Sequence, residues 1–353
     1  MINSQNTEKT VHFYIKKFTA EIILNRPDVI NSLNIEMIQS ITDCLNMALE
    51  DDQCRCIIFY GSGNKGFCAG GDVKELARKA DNKLFDAVNL FFKKEYALDL
   101  MIHNSTKPII VIADGVTMGG GLGIAAGADI VLATERTRMA MPEARIGFFP
   151  DVGATGWLFS RCPKGYPEYL SLTGYEMRAK ECVRIGLATH FIMSRDLHKV
   201  IAALENYEPD RKLRRKELSL KIQKIISPYI NHDIPANKNM DDWVAGYFAG
   251  KSDLNEIINS LEKCVNHKDL CENVFDGIAA RSPTALVLTL KLLRHNEGRP
   301  IADVFSSELK AAEFMTRQPD YLEGIRARLI EKDDTPRWQP EKIEQVNLAG
   351  LEL

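Results

Sequence analysis

No run of eighteen apolar residues occurs in this 353-residue chain, so no segment reads as a membrane-spanning helix. Charge of one sign is not in excess either: 45 basic and 48 acidic residues leave a formal net charge of −3. That balance gives no electrostatic footprint for nucleic acid or an anionic membrane, and neither is expected as a partner. Cysteine is sparse and unpatterned. Cys44, Cys54, Cys56, Cys68, Cys162, Cys182, Cys264 and Cys271 show no metal-site or redox spacing and read as free thiols, which fit a reducing cytosol. The opening MINSQNTEKTVHFYIKKF holds no apolar signal core and is not an Arg/Ser-rich presequence, so a soluble, cytoplasmic protein is expected. Common catalytic signatures are missing as well. His103, His190 and His198 have no triad-like context, and no G-x-S-x-G elbow is present. GGGLG lacks the G-x-G-x-x-G spacing of a dinucleotide fold, so that segment gives no sign of a nicotinamide enzyme.

What is present is an alternation of strand-like and helical runs. Residues 11–15 and 20–24 read as strands around a tight turn, and 35–49 as a helix with Ile38, Ile41, Cys44, Leu45 and Ala48 on one stripe. A buried strand is expected at 56–60, a helix through Phe91, Phe92, Tyr96, Leu98 and Ile102, and strands at 109–113 and 130–133. Such cycling predicts parallel β structure with helices packed outside it. From residue 197 onward helical segments dominate, at 213–226, 254–264, 285–293 and 304–314, while the polar stretch 229–240 reads as a linker or loop. The expected division is an α/β core over 1–195 and a helical C-terminal region over 196–353.

The string MPEARIGFFPDVG, residues 141–153, places Glu143 and Asp151 eight apart across an apolar turn. An acid beside Ile146, Phe148 and Phe149 is poorly hydrated, so its neutral form is favoured. Two carboxyls in unlike surroundings can divide acid and base duties. The plainer reading makes Asp151 the cap of a helix near Val152 and puts Glu143 on a surface loop. Two glycine segments stand upstream: FCAGGD at 67–72 and GVTMGGGLG at 115–123. Each either packs a helix closely or offers free N–H groups at a helix start. One donor from each would serve an oxygen that turns negative, and losing such a donor costs on the order of 3 kcal/mol. Glu95 in FFKKEYALDL is by default a solvated surface residue. Cys68, beside a helix start, is a conceivable thiolate nucleophile but has no nearby histidine in sequence.

With NRPDVINSLN, GNKGFCAGGD, KPIIVIADGVTMGGGLG and MPEARIGFFPDVG in order, the chain resembles the crotonase (enoyl-CoA hydratase/isomerase) superfamily. LTGYEMRAKECVRIGLATHFI and the tail LEGIRARLIEKDDTPRWQP extend the likeness, the tail towards a thioester-hydrolysing branch. The resemblance implies a spiral of ββα units with a helical C-terminal region, binding an acyl-CoA. It implies Gly71 and Gly120 as an oxyanion hole, Glu143 and Asp151 as the catalytic carboxylates, and Glu95 as a contact to the acyl group. Arg26 matches a position near the nucleotide of coenzyme A. Hydratases that use two glutamates carry one where this chain has Gly123, which supplies no carboxylate; the resemblance therefore implies hydrolysis, with 3-hydroxyisobutyryl-CoA as substrate. The alternatives are a hydratase or isomerase using Glu143 alone, or a non-catalytic acyl-CoA-binding protein. No metal, nicotinamide or flavin cofactor is implied, coenzyme A being part of the substrate, and a homo-oligomer remains open.

Overall fold

The computed structural model describes residues 9–210 and 212–353. The reading of the N-terminus as leaderless falls partly on residues 1–8, outside the described residues. The chain opens with an antiparallel pair, β1 (Val11–Lys16) and β2 (Thr19–Leu24), and helix α1 (Ile35–Glu50). The Asn34 side chain accepts from the Met37 N–H to start α1, whose buried stripe is Met37, Ile38, Ile41, Leu45 and Ala48.

Three strand–strand–helix cycles follow. The first is β3 (Cys56–Gly61), β4 (Gly66–Cys68), α2 (Val73–Asp81) and α3 (Phe85–His103). The second is β5 (Ile109–Ala113), β6 (Val116–Met118) and α4 (Gly120–Ala126). The third is β7 (Ile130–Ala133), β8 (Arg138–Ala140) and α5 (Ala154–Arg161). Then come α6 (Tyr166–Thr173), β9 (Met177–Arg178), α7 (Lys180–Ile185) and β10 (His190–Phe191). The first strand of each cycle joins a six-stranded sheet ordered β1-β2-β3-β5-β7-β10, and the second joins a four-stranded sheet ordered β4-β6-β8-β9. Apart from β1–β2 and β8–β9, neighbouring strands are parallel. This is the expected spiral of ββα units.

Alternate residues of the larger sheet enter two cores, as period-2 side chains must. Ile57, Phe59, Val111 and Val131 face the main core; Ile58, Ile110, Ile130 and Leu132 face α8 (Leu197–Asn206) and α9 (Arg215–Ile226). Beyond these come α10 (Lys238–Phe248), α11 (Leu254–Glu262), α12 (Lys268–Ala279), α13 (Pro283–Asn296), α14 (Ile301–Met315) and α15 (Pro319–Ile325). Leu286, Phe305 and Tyr321 from these helices sit in the same core as Phe92 and Phe148, so the later helices cover the site.

Two expectations are corrected. The loop expected over 229–240 ends at Asn237, whose side chain accepts from the Met240 N–H and starts α10; the apolar residues that hold this helix, Trp243, Val244 and Phe248, lie beyond the polar stretch. Cys264 and Cys271 are not free but form a disulfide, because the α11–α12 hairpin brings their Cα atoms to 6.3 Å. The other six cysteines are free thiols.

Candidate active site

The turn after β8 carries the motif. Glu143 begins a 3₁₀ turn, Glu143–Ile146, closed by Gly147 in the left-handed region at φ 70°. The chain then passes Phe148 and Phe149, stacked at 4.5 Å, and reaches Asp151. Phe92 stacks on Phe148 at 5.4 Å, so aromatic faces replace water around both acids. Glu143 is 8% exposed and Asp151 6%. Burial pushes the Glu143 carboxyl well above its ordinary value, and the Asp151 charge pushes it further. Burial takes Asp151 up to about 7, opposed by the hydroxyl of Tyr96, which donates to Asp151 Oδ2 at 2.8 Å. The capping reading of Asp151 does not hold: Gly153 is the N-cap of α5, and no side chain of the cap itself bonds there. Glu308 on α14 serves instead, accepting from the Gly153 N–H at 2.6 Å and the Thr155 N–H at 3.1 Å. Burial raises the Glu308 carboxyl to about 8, with those bonds holding it down.

Both glycine segments reach the same place. Gly71 follows β4, and Gly120 is the first residue of α4, after Gly119 at φ 49°. The Gly120 N–H, in the first helical turn, has no intrahelical partner. Among the backbone bonds around them, neither the Gly71 nor the Gly120 N–H donates. A Cβ added at Gly120 would collide with Glu95 Oε1, and one at Gly71 would lie 4.0 Å from that oxygen. Glu95 is thus no surface residue: at 3% exposure its Oε1 has no hydrogen-bond partner and lies beside both glycines. Its carboxyl is raised well above the ordinary value by burial, then by the charges of Asp151, Asp99 and Glu143. A cavity of about 400 Å³ joins Gly71, Gly120, Glu95, Glu143 and Asp151, with Tyr321 of α15 in its wall.

Two other candidates lie apart from this chemistry. Arg26 donates to the Ser32 carbonyl and pairs with Asp72 at 3.1 Å, and does not line the cavity. Cys68 is fully buried, and burial pushes its thiol up to about 12, so it is no thiolate nucleophile.

Sequence reading missed Asp99, which is 1% exposed with neither oxygen hydrogen-bonded. A signal existed, since 95 and 99 share a helix face. Burial, then the charges of Asp151 and Glu308, hold this carboxyl well above its ordinary value. Asp99 and Val152 also fill the space beside Gly123: a Cβ there would stand 2.6 Å from Val152 Cβ and 2.8 Å from Asp99 Oδ2. Tyr96 and Glu308 were missed too, because a tyrosine in an apolar stripe and a glutamate in a remote helix carry no local signal.

Two unengaged amides facing buried carboxyls, on a spiral of strand pairs, define an enzyme that polarises a carbonyl and moves protons beside it. The chain belongs to the enoyl-CoA hydratase/isomerase family, whose sequence profile matches residues 19–352. It is similar to "3-hydroxyisobutyryl-CoA hydrolase, mitochondrial" of Gallus gallus, 34% identical over 92% of this chain and 83% of that one. The proteins of the same name from Homo sapiens and Dictyostelium discoideum are 31% and 30% identical, over 99% and 98% of this chain and 89% and 90% of theirs. Among solved structures, a carnitinyl-CoA dehydratase from Mycobacterium thermoresistibile superposes with a TM-score of 0.86 at 28% identity, covering 97% of this chain and 95% of that one. An enoyl-CoA hydratase from Rhodobacter sphaeroides 2.4.1 gives 0.83 at 29%, covering 96% and 95%.

Proposed function

We propose that the protein hydrolyses the thioester of 3-hydroxyisobutyryl-CoA, releasing the free hydroxy acid and coenzyme A. The observation that carries this reading is the pairing of Glu143 with Asp151 in one cavity, where Gly123 offers no carboxylate and no room for one. Relatives across most of the chain are named for this hydrolysis, which supports it. In the proposed reaction the thioester oxygen rests on the N–H groups of Gly71 and Gly120, which take up its growing negative charge. Glu143 activates water or attacks the carbonyl itself, and Asp151 positions that water or returns a proton to the leaving thiolate. Burial raises both carboxyls, Asp151 to about 7 and Glu143 well above its ordinary value, so one can serve as acid and the other as base. Glu95, in the wall of the same cavity, is the candidate polar partner for the substrate hydroxyl.

The test is thiol release from purified protein, with 3-hydroxyisobutyryl-CoA and crotonyl-CoA supplied separately. Release from the first, with little loss of enoyl absorbance from the second, is expected. Loss of enoyl absorbance without thiol release would instead favour hydration, the activity for which the Rhodobacter sphaeroides 2.4.1 protein is named. Glu143→Gln and Asp151→Asn should each lower kcat by about two to four orders of magnitude with little change in KM.

A further inference from the structure

Three guanidiniums lie near one another, two of them in the wall of the cavity that holds Glu143. Arg145 stands two residues after it on the same turn and lines the cavity, and so does Arg328, from the π-turn Arg326–Ile330 that follows α15. Arg281, just before α13, is 7% exposed. Arg145 and Arg281 hold adjacent carbonyls, donating to Gly174 at 3.1 Å and Thr173 at 3.4 Å. The Nε of all three is buried without a hydrogen-bond partner. Among the described residues Arg328 pairs with Asp334 at 2.7 Å, and neither Arg145 nor Arg281 has a carboxylate partner. Glu176, the other acid near Arg145, already pairs with Arg138 and Arg178.

A guanidinium cannot shed its charge at neutral pH, so three of them grouped with one paired carboxylate, Asp334 of the same cavity wall, leave the group positive. Burial and the charges of Arg145 and Arg328 bring Arg281 down to about 10, still protonated near neutrality. Holding the Thr173–Gly174 turn needs one arginine, not two beside a third. Buried charge of one sign is stable when an anion meets it.

We propose that Arg145 and Arg328 form a carboxylate seat in the acyl end of the cavity, so that the protein accepts coenzyme A mono-thioesters of short dicarboxylic acids. The proposal rests on the acyl-CoA reading of the site. Position favours the acyl chain over the phosphates of coenzyme A. Two residues span at most about 7 Å of backbone, so Arg145 enters the cavity wall within that reach of Glu143, the carboxylate proposed to meet the thioester. The phosphates sit at the far end of the pantetheine arm. A cavity of about 400 Å³ takes one drug-sized portion of the ligand, leaving the nucleotide outside.

Two thioethers test this without turnover: S-(3-carboxypropyl)-CoA and S-butyl-CoA, matched in length and measured by isothermal titration. The wild type should bind the carboxylate analogue about tenfold more tightly or better. Arg145→Met and Arg328→Met should bring the ratio towards one, and Arg145→Lys should restore part of it. Equal affinity for the two ligands in the wild type overturns the seat. So does a variant that weakens both ligands equally, which places the arginines on the coenzyme A phosphates. Binding of neither thioether rejects the acyl-CoA reading itself, a separate failure.

Discussion

The Tyr96 hydroxyl donates to Asp151 Oδ2 at 2.8 Å, with both side chains buried. A donor aimed at one oxygen favours the ionised carboxyl and fixes its plane. Tyr96→Phe should raise the Asp151 pKa above about 7 and move the neutral ionisation in the kcat/KM profile to higher pH. Asp151→Asn should erase that ionisation. A Tyr96→Phe profile superimposable on the wild type would show that the bond does not tune the acid.

Asp99 predicts a dependence of stability on pH. Burial holds its folded pKa well above the ordinary 3.8, so the folded chain holds a proton that the unfolded chain releases. Stability from this group is therefore complete below about pH 4 and is lost as pH rises towards the folded value. Asp99→Asn should match the wild type in unfolding free energy near pH 4.5 and exceed it by about 1–3 kcal/mol near pH 8.5. An advantage larger in acid than in base would reverse the assignment.

Gly123 is closed to side chains. With Val152 Cβ 2.6 Å from a Cβ at that position, Gly123→Ala should destabilise the fold by about 1–3 kcal/mol in urea unfolding. Gly123→Glu should not create hydration of crotonyl-CoA. A stable Gly123→Glu protein that hydrates the enoyl substrate would mean that the second glutamate alone separates the two activities.

Glu308 joins α14 to the turn that carries Asp151. Glu308→Gln keeps at most one acceptor for the Gly153 and Thr155 N–H groups, so unfolding free energy should fall by about 1–3 kcal/mol. Thiol-release kcat should fall with it while KM holds. Lost stability at unchanged kcat would mean that the turn keeps its place by other means.

The spiral was legible because its strands are short apolar runs punctuated by glycine, and 109–113 and 130–133 coincide with β5 and β7. Gly71, Gly120, Glu143 and Asp151 were legible only together, because the resemblance joins strings that are each weak alone, and the structure brings the four to one cavity. Tyr96, Asp99 and Glu308 were not. Tyr96 is apolar by helical period and polar only at its tip, and Asp99 looks like any helix acid until burial is known. Glu308 meets Gly153 across 155 residues, which no window of sequence connects. Asn237 was misplaced for a smaller reason, since a cap is polar and sits inside a polar stretch.

The Glu308–Gly153 contact also sets an order in time. During synthesis the carboxylate turn emerges first, and the residue that holds it follows 155 positions later. At about 5–20 residues per second that interval is roughly ten to thirty seconds. A growing chain thus carries every motif residue before the helix that braces the carboxylate turn has been made.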